Sequence, residues 1–451
     1  MNQTKDSEKI VKTITWSAGP GCHGGCGVLL HVKDGKLIKM EGNPDHPYNN
    51  GRLCPRALAI KDYIYHPDRL LSPLKRVGRR GENKWAKISW DEAYGLIESR
   101  MNEIRDKHGA ESMVFIQGTG RNVGGWLLLL SYSYGSPNWL QGGLTGNSCF
   151  HPRLVSMRIT QGDYTVPDCS QFFQDRYDNP EFVLPKCTLI WGQNPAATCN
   201  DGFMAPWIID CMKRGTQAIV VDPVYTWVAS KAAIWLQLRP GTDGALALGL
   251  LHVIIKEGLY DKEFVEKWTH GFDKLAERVK EYPPEKVAQI TWVPKEKIIE
   301  AARLFATSHP ASIQWGVPVD LAAEGAVVCN AVIHLWTITG NIDIPGGMAI
   351  ARMALDVPPY PMSQEAIAEY YGDVMPPEQM RKRIGVDVYP MVKEFHWRAQ
   401  ADMILKALLT DEPYPLKGAW IAGNNMLASA ANPRKYYEAL NRLEFIVVAD
   451  L

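Results

Sequence analysis

The sequence predicts an α/β fold in which doubly wound parallel sheets follow a small N-terminal β-sheet unit. Short apolar runs recur, and each ends in a cluster of Gly, Pro, Asn or Asp; they cover residues 113–116, 189–191, 218–221, 312–315, 420–422 and 445–449. Helical patterns separate these runs, and strands that alternate with helices form parallel sheets. Ligands of such sheets bind beyond the carboxyl ends of the strands, where the polar loops lie. The loops therefore predict a large nucleotide-like ligand, although an ordinary tight turn explains any one of them.

The N-terminal unit is predicted from a hairpin pattern. Strand signals at 28–32 and 36–41 flank Asp34-Gly35, a dipeptide typical of a tight hairpin turn. Farther along, Ser89 and Glu92 form a capping-box pattern that begins a helix, and Gly109 is expected to end it.

Two further segments are less regular. Residues 358–390 are rich in Pro, Met and acidic residues, which predicts an irregular excursion or a lid. The chain stops at a strand and its first loop residues, 445–451, and this edge predicts that the sequence is a fragment of a longer protein.

Composition narrows the function classes. The 451 residues include 49 Lys and Arg against 49 Asp and Glu, so the net charge is zero and a nucleic-acid or anionic membrane surface is not expected. No apolar stretch reaches the roughly 18–20 residues that a membrane-spanning helix needs. The N-terminal residues resemble no export signal, which predicts a cytoplasmic protein. The 15 Trp indicate either a large pocket or additional core.

Three cysteines have a spacing that suits a metal centre. Cys22 and Cys26 lie in a Gly-rich loop, and Cys54 returns after the predicted hairpin. Converging thiolates with glycines between them suit an iron–sulfur cluster or zinc, whereas buried structural cysteines are the alternative.

Several segments together carry a family resemblance. Residues 21–27 read GCHGGCG and residues 41–56 read EGNPDHPYNNGRLCPR; the later matching segments are 66–75, 85–93, 191–195, 239–243, 339–348 and 422–424. In combination they resemble molybdopterin-dependent oxidoreductases of the dimethyl sulfoxide reductase family. The resemblance implies bis(molybdopterin guanine dinucleotide), Mo or W, and a [4Fe–4S] cluster.

The same resemblance implies a domain organisation. Residues 11–75 would form the iron–sulfur domain, and residues 151–340 would form an α/β domain that binds the pterin nucleotide. Residues 76–150 and 341–451 would form a second, discontinuous and truncated α/β domain. The C-terminal β-barrel domain of the family would be absent from this sequence.

The cluster motif departs from the family pattern. Cys22, Cys26 and Cys54 match three of the four ligands, but the first position is Gly19, and a subgroup's histidine position is Ala18. The fourth ligand is therefore unidentified, and a three-iron cluster, an outside ligand or an empty site stays open. Arg56 matches the cation that the family places between cluster and pterin.

The resemblance also assigns a metal-ligand loop. The segment around Cys149 is similar to that of acetylene hydratases and of molybdenum catechol dehydroxylases, so Cys149 is the candidate Mo or W ligand; a packed free cysteine is the alternative. His151 lies two residues farther on and His23 follows Cys22, and either imidazole could act as a proton donor. His23 could instead ligate the cluster or donate a hydrogen bond from its surroundings.

The remaining family motifs imply contacts with the nucleotide ends of the cofactor. The residues that match them are Gly192, Asn194 and Pro195 for a pyrophosphate, Asp222 for a ribose or guanine edge, Thr242 and Asp243 for guanine, Gly340, Gly346 and Gly347 in a glycine signature, and Gly423, Asn424 and Asn425 for the second pterin.

The function expected from these residues is reductive dehydroxylation of a small aromatic, catechol-type substrate. Electrons would arrive through the cluster, with a ferredoxin-like subunit as the candidate partner. A non-redox hydratase or hydroxyl transferase on the same cofactor, an inactive remnant, and an electron-transfer cluster protein are the alternatives.

Overall fold

The computed structural model describes residues 8–15, 25–118, 124–142, 150–172, 179–198, 204–322, 324–351, 367, 372, 374–389 and 398–451. The predicted site residues Cys22, His23 and Cys149 lie outside the described residues, as does part of the 358–390 segment.

The strands and helices alternate along most of the chain. The strands are β1 Lys9–Ile14, β2 Gly27–Lys33, β3 Lys36–Gly42, β4 Leu74–Arg76, β5 Trp85–Lys87, β6 Met113–Gln117, β7 Trp139–Gln141, β8 Thr165–Pro167, β9 Cys187–Trp191, β10 Gln217–Val221, β11 Ile234–Leu236, β12 Ala311–Trp315, β13 Met348–Ile350, β14 Gly418–Ala422 and β15 Phe445–Ala449. The helices are α1 Pro55–Leu58, α2 Ile60–Ile64, α3 Trp90–His108, α4 Gly124–Tyr134, α5 His151–Gln161, α6 Pro195–Thr198, α7 Met204–Lys213, α8 Asp243–Lys256, α9 Lys262–Trp268, α10 Phe272–Val279, α11 Pro284–Thr291, α12 Lys295–Thr307, α13 Val317–Asp320, α14 Gly325–Ile338, α15 Pro377–Met380, α16 Ala401–Thr410, α17 Met426–Ser429 and α18 Pro433–Asn441.

The N-terminal unit is a three-stranded antiparallel sheet in the order β1-β2-β3. The predicted hairpin is confirmed, since Asp34 and Gly35 both have positive φ angles, 51° and 74°, between β2 and β3. A small apolar core of Val28, Met40 and Ala57 joins this sheet to α1, the helix that follows Cys54.

The first large sheet has the order β11-β10-β9-β12 and is parallel throughout. Side chains alternate between its faces. Leu189 and Ile219 join a core that includes α8, α12 and α14, whereas Ile190 and Val220 pack with Trp207 of α7. Both faces are covered, which explains why the strands read as continuous apolar runs.

The second large sheet has the order β15-β14-β6-β7 and is also parallel. Val114 and Ile421 pack with α16 and α18 on one face, and Phe115 packs with residues of α3 and α4 on the other. The expected doubly wound α/β architecture with a small N-terminal sheet is therefore confirmed.

The helix predicted from the capping box is also confirmed. Ser89 Oγ accepts a hydrogen bond from Glu92 N at 3.1 Å, and α3 ends before Gly109, whose φ is 89°. In the described part of the irregular segment, residues 374–389 form turns around the short helix α15.

The tryptophans divide between core and surface. Trp139, Trp191, Trp207 and Trp336 are fully buried, whereas others are exposed, including Trp292. Core packing therefore accounts for part of the high Trp content. Among the described residues, no helix combines the length and apolar content needed to cross a membrane.

Candidate functional site

Two neighbouring strands of the first sheet end in glycines whose backbones touch. We call residues 192–195, which follow β9, the first glycine loop. A Cβ on Gly316, the residue after β12, would lie 2.1 Å from the carbonyl oxygen of Gly192. Gly192 has a φ of 57°, and its N–H donates to the carbonyl of Val221 at 2.9 Å. Glycine is needed here because any side chain would separate the two loops.

The second sheet repeats this arrangement. We call residues 423–426, which follow β14, the second glycine loop. A Cβ on Gly118, after β6, would lie 1.9 Å from the Gly423 carbonyl oxygen. Gly423 has a φ of 54°, and its N–H donates to Ala449 at 3.0 Å. Two equivalent backbone cradles thus lie at the carboxyl ends of the two sheets.

Each glycine loop contains a buried amide oxygen that has no hydrogen-bond partner among the residues that the structure describes. These atoms are Gln193 Oε1 and Asn424 Oδ1. Buried polar atoms are nearly always paired in proteins, so an orphaned acceptor at each cradle indicates a missing donor. Each loop continues into a single helical turn: α6 begins at Pro195, and α17 begins after Asn425. Asn194 contributes its carbonyl, which accepts from Thr198 N at 2.9 Å.

Two predicted carboxylates lie beside the first glycine loop. Asp222 follows β10, and its Oδ1 accepts from Val224 N at 2.8 Å. Asp243 begins α8, and its Oδ1 accepts from the indole N–H of Trp191 at 2.8 Å. Burial raises the pKa of both carboxyl groups above their usual value. Thr242 precedes Asp243 and donates through Oγ1 to the Arg239 carbonyl at 2.6 Å.

The glycine signature at 340–347 is explained by packing within the protein. A Cβ on Gly340 would lie 2.6 Å from Asp261 Oδ2, and one on Gly346 would lie 2.6 Å from the Val183 carbonyl oxygen. A Cβ on Gly347 would likewise crowd the chain's own backbone. The contact of these three glycines with a cofactor therefore stays a prediction.

Asn49 connects the backbone segments that carry Cys26 and Cys54, the two described cysteines of the cluster motif. Its buried side chain accepts from Gly27 N at 2.7 Å and donates to the carbonyls of Gly27 and Arg52 at 3.1 and 2.9 Å. Gly27 directly follows Cys26, and Arg52 lies two residues before Cys54. Among the described residues no group of three metal-ligating side chains converges.

Arg56 joins the cysteine-bearing unit to the first large sheet. Its guanidinium donates to the carbonyl of Thr198 at 3.1 Å. Thr198 is the last residue of α6, which directly follows the first glycine loop. Arg56 therefore connects the cysteine-bearing unit with the end of α6, and its place between cluster and pterin stays a prediction.

The residues that follow Cys149 are anchored by an acidic side chain that sequence reasoning missed. Phe150 has a φ of 75°, and its N–H donates to Asp320 Oδ2 at 2.9 Å. Arg153 pairs with the same carboxylate, with Nη2 at 2.8 Å from Oδ2. Asp320 lies 170 residues from Phe150 in sequence, and no local pattern marks it.

His151 meets a second residue that the sequence did not single out. The guanidinium of Arg398 donates to His151 Nε2 at close range. Arg398 is 7% exposed, and its guanidinium carbon lies 5.5 Å from the centre of the Trp139 ring. Nε2 of His151 acts as an acceptor in this contact, so it carries no proton there.

Two family models match almost the whole chain. One, described as the molybdopterin oxidoreductase Fe4S4 domain, matches residues 12–66, and the other, described as molybdopterin oxidoreductase, matches residues 69–451. The chain belongs to the molybdopterin oxidoreductases. This assignment confirms the family that the sequence motifs indicated.

Molybdopterin oxidoreductases of several kinds are similar to this chain. Acetylene hydratase from Syntrophotalea acetylenica is 32% identical over 95% of the chain and 59% of its own length. The dimethyl sulfoxide reductase DmsA from Escherichia coli is 32% identical over 77% of the chain and 46% of its own length. The solved structure of acetylene hydratase from Pelobacter acetylenicus superposes with a TM-score of 0.80 at 30% identity, covering 97% of this chain and 60% of that one.

The chain therefore spans about three fifths of the length of acetylene hydratase. The family is that of a molybdopterin cofactor with Mo or W and a [4Fe–4S] cluster, and the described residues fit both groups. The orphaned oxygens of Gln193 and Asn424 would accept hydrogen bonds from a bound group, and the N–H groups of pterin and guanine rings are donors of the right kind. Cys26 and Cys54, tied together through Asn49, would hold the cluster.

Proposed function

We propose that this molybdopterin oxidoreductase removes a hydroxyl group reductively from a small aromatic substrate of the catechol type. The observation that supports the proposal most is the contact of Arg398 with His151, two residues from the candidate metal ligand Cys149. A buried guanidinium offers several N–H donors in a fixed plane, which suits a phenolic oxygen or phenolate. Its contact with the Trp139 ring holds that plane in one orientation.

The reaction is a two-electron reduction. The substrate loses a C–O bond and gains a C–H bond, and the oxygen leaves as water after two protons have been taken up. The molybdenum or tungsten pterin, when bound, supplies the two electrons. We propose that a ferredoxin-like donor delivers them through the iron–sulfur cluster, past Arg56, and that the enzyme is cytoplasmic.

Side chains of this chain bind the substrate and deliver protons. In the proposal, Arg398 binds the phenolic oxygen that remains on the ring. His23 or His151 protonates the departing hydroxyl, because an imidazole has a pKa near neutral pH. Since Nε2 of His151 accepts from Arg398, a proton from His151 has to leave through Nδ1.

A non-redox reaction is the second candidate. The similarity to acetylene hydratase, 32% identity and a TM-score of 0.80, favours a hydratase or hydroxyl transfer on the same cofactor. The two proposals differ in their need for electrons, because hydration neither consumes nor releases them. An inactive remnant would bind neither Mo nor W, which metal analysis of the purified protein detects.

An anaerobic assay separates these functions. A panel of catechols is incubated with the holoenzyme and a low-potential electron donor, and products are identified by mass spectrometry. Loss of one hydroxyl that depends on the donor supports dehydroxylation. Turnover that is independent of the donor contradicts it and favours hydroxyl transfer or hydration.

Arg398 variants test the substrate contact. Arg398→Gln is expected to raise KM for catechols by at least about tenfold, the effect of losing a hydrogen bond to a charged group. Arg398→Lys should recover only part of the affinity, because lysine lacks the planar fork. Arg381→Gln is the control, since Arg381 is an exposed arginine and its replacement makes the same change of charge. An unchanged KM in Arg398→Gln would remove Arg398 from the proposal.

A further inference from the structure

The carboxylate of Asp320 binds the backbone of residues that follow Cys149 in the sequence. Asp320 Oδ2 accepts from Phe150 N at 2.9 Å, and Asp320 Oδ1 accepts from Arg153 N at 3.1 Å. Phe150 is the N-cap residue of α5 and Arg153 lies in its first turn, where backbone N–H groups have no partner within the helix. The carboxylate thus caps α5 from a distant element, and it does so immediately after the candidate metal ligand.

Arg153 neutralises this carboxylate in the protein interior. Its Nε lies 3.1 and 2.9 Å from the two carboxylate oxygens, and Nη2 lies 2.8 Å from Oδ2. The Asp320 side chain is fully buried, and that of Arg153 is 9% exposed. A buried ion pair offsets the cost of its desolvation only when both groups are well aligned and hydrogen-bonded. The positions of the two side chains are therefore tightly constrained.

The backbone that they hold is strained. Phe150 has a φ of 75°, a conformation that a bulky residue rarely adopts. The Arg153 guanidinium carbon lies 5.2 Å from the Phe150 ring centre, and Tyr164 meets the same ring edge-to-face at 4.9 Å. These contacts and the Asp320 hydrogen bond fix the backbone conformation of Phe150, the residue that follows Cys149 in the sequence.

The same pair connects this turn with the first glycine loop. Asp320 ends α13, which begins directly after Gly316, the residue that touches Gly192. Arg153 Nη1 donates to the carbonyl of Trp315 at 2.6 Å. The carboxylate therefore lies one helical turn after the strand end whose glycine touches the first glycine loop.

We infer that Asp320 is a positioning residue for the metal centre: by holding the backbone of Phe150, with Arg153 as its counter-charge, it sets the position of the Cys149 thiolate relative to the first glycine loop. The inference rests on Cys149 being the metal ligand. Asp320 itself touches neither metal nor substrate and acts through the backbone.

The test compares Asp320→Asn with three other variants in the full-chain holoenzyme. Asparagine keeps the size of the side chain, but its amide hydrogens face the guanidinium of Arg153 and leave that charge unpaired. Cys149→Ala defines the signature of a lost metal ligand. Asp320→Glu keeps the charge and should restore part of the wild-type behaviour. Glu111→Gln is the matched control. Glu111 also forms an ion pair, with its Oε1 2.6 Å from Lys382 Nζ, but it lies just before β6, at the amino end of that strand.

Two measurements follow Cys149 directly. X-ray absorption counts the sulfur atoms bound to the metal, and mass spectrometry gives the rate at which iodoacetamide alkylates Cys149. We expect Asp320→Asn to bind as much metal as the wild type, to show the reduced sulfur count of Cys149→Ala, and to be alkylated on the order of tenfold faster, as the loss of a charged hydrogen bond predicts. Glu111→Gln should match the wild type in both.

A folded Asp320→Asn protein with the wild-type sulfur count and alkylation rate overturns the inference. If that variant does not accumulate, Asp320→Glu and Arg153→Lys decide by the same two measurements, and wild-type values in both overturn it. If Cys149→Ala leaves the sulfur count unchanged, Cys149 is not the ligand and the assignment of the metal centre fails. The alkylation rate then still reports whether Asp320 holds the loop.

Discussion

The indole N–H of Trp191 donates a hydrogen bond to the Asp243 carboxylate at 2.8 Å, and this bond joins the end of β9 to the start of α8. Trp191 is fully buried and directly precedes the first glycine loop. Asp243 is the residue that the family resemblance assigns to guanine. A structural contact and a predicted ligand contact therefore share one carboxylate.

Asp243→Asn should separate these two roles. Burial raises the pKa of Asp243, so the native state holds the proton more tightly than the unfolded state does. Ionisation of Asp243 therefore destabilises the folded state. The free energy of unfolding falls as the pH rises from the pKa of the unfolded state, near 3.8, through the higher pKa of the folded state. Asparagine keeps an oxygen for Trp191 and removes this dependence.

We expect the metal-free Asp243→Asn protein to be at least as stable as the wild type at pH 7, and to lose less stability between pH 4 and 7. Guanine nucleotide content of the holoenzyme should fall. Denaturant unfolding at several pH values measures the first effect, and nucleotide release with chromatography measures the second. A large loss of stability at pH 7 would contradict the assignment of a burial cost to this carboxylate.

Alanine at Gly316 or Gly118 should open the glycine loops. The added Cβ would lie 2.1 or 1.9 Å from a carbonyl oxygen of the neighbouring loop, so the loops must separate. Overpacking of this kind costs about 1–3 kcal/mol of unfolding free energy, and we expect pterin content to fall with it. Gly95→Ala is the control: Gly95 lies on the exposed side of α3 with open space around it, and alanine there should stabilise by about 0.5–1 kcal/mol.

Asn49→Ala should impair cluster assembly. It leaves the buried N–H of Gly27 without its acceptor, which costs about 1–3 kcal/mol, and releases the loop before Cys54 from Cys26. Iron and sulfide content and the visible absorption of the cluster measure the outcome. Asn50→Gly is the matched control, since Asn50 is exposed and its φ of 43° suits glycine. Normal iron content in Asn49→Ala would show that other contacts hold the cysteine loops.

Cys149→Ala should abolish turnover while most of the pterin stays bound. The dithiolene sulfurs of the cofactor provide the other metal bonds, so loss of one thiolate changes reactivity more than retention. Cofactor content and activity are measured on the same preparation. Full activity would transfer the ligand role to a neighbour, with Ser148 as the first residue to test.

Local pattern was sufficient for the fold and for the loops at the strand ends. Strands β6, β9 and β12 are fully buried, so their apolar runs and the glycines that follow them stand out in the sequence. Family resemblance singled out Arg56, whose place between cluster and pterin stays a prediction. It also selected Gly340, Gly346 and Gly347. In the structure, close packing within the protein explains why glycine is needed at these positions, and the motif alone does not show this.

Long-range partners could not be predicted in this way. Asp320 and Arg398 meet α5 from 170 and 247 residues away, and each looks like an ordinary charged residue in its own segment. Asn49 lies in a Pro- and Asn-rich loop where hydrogen-bonding side chains are common. Their roles depend on burial and on the partner's position, which a single sequence does not contain.

The two glycine loops occupy the same position in the strand order of their sheets: each follows a strand, β9 or β14, that lies between two parallel neighbours. β9, β10 and β12 correspond to β14, β15 and β6, and Gly192 and Gly316 correspond to Gly423 and Gly118. By this correspondence Asp450, the residue after β15, is the counterpart of Asp222, the residue after β10. Asp222 is a predicted ribose or guanine contact, and Asp450 holds the equivalent place in the second sheet. The backbones of the two glycine loops are alike. A preference of one loop for one nucleotide therefore has to come from side chains that differ, such as Gln193 and Asn424.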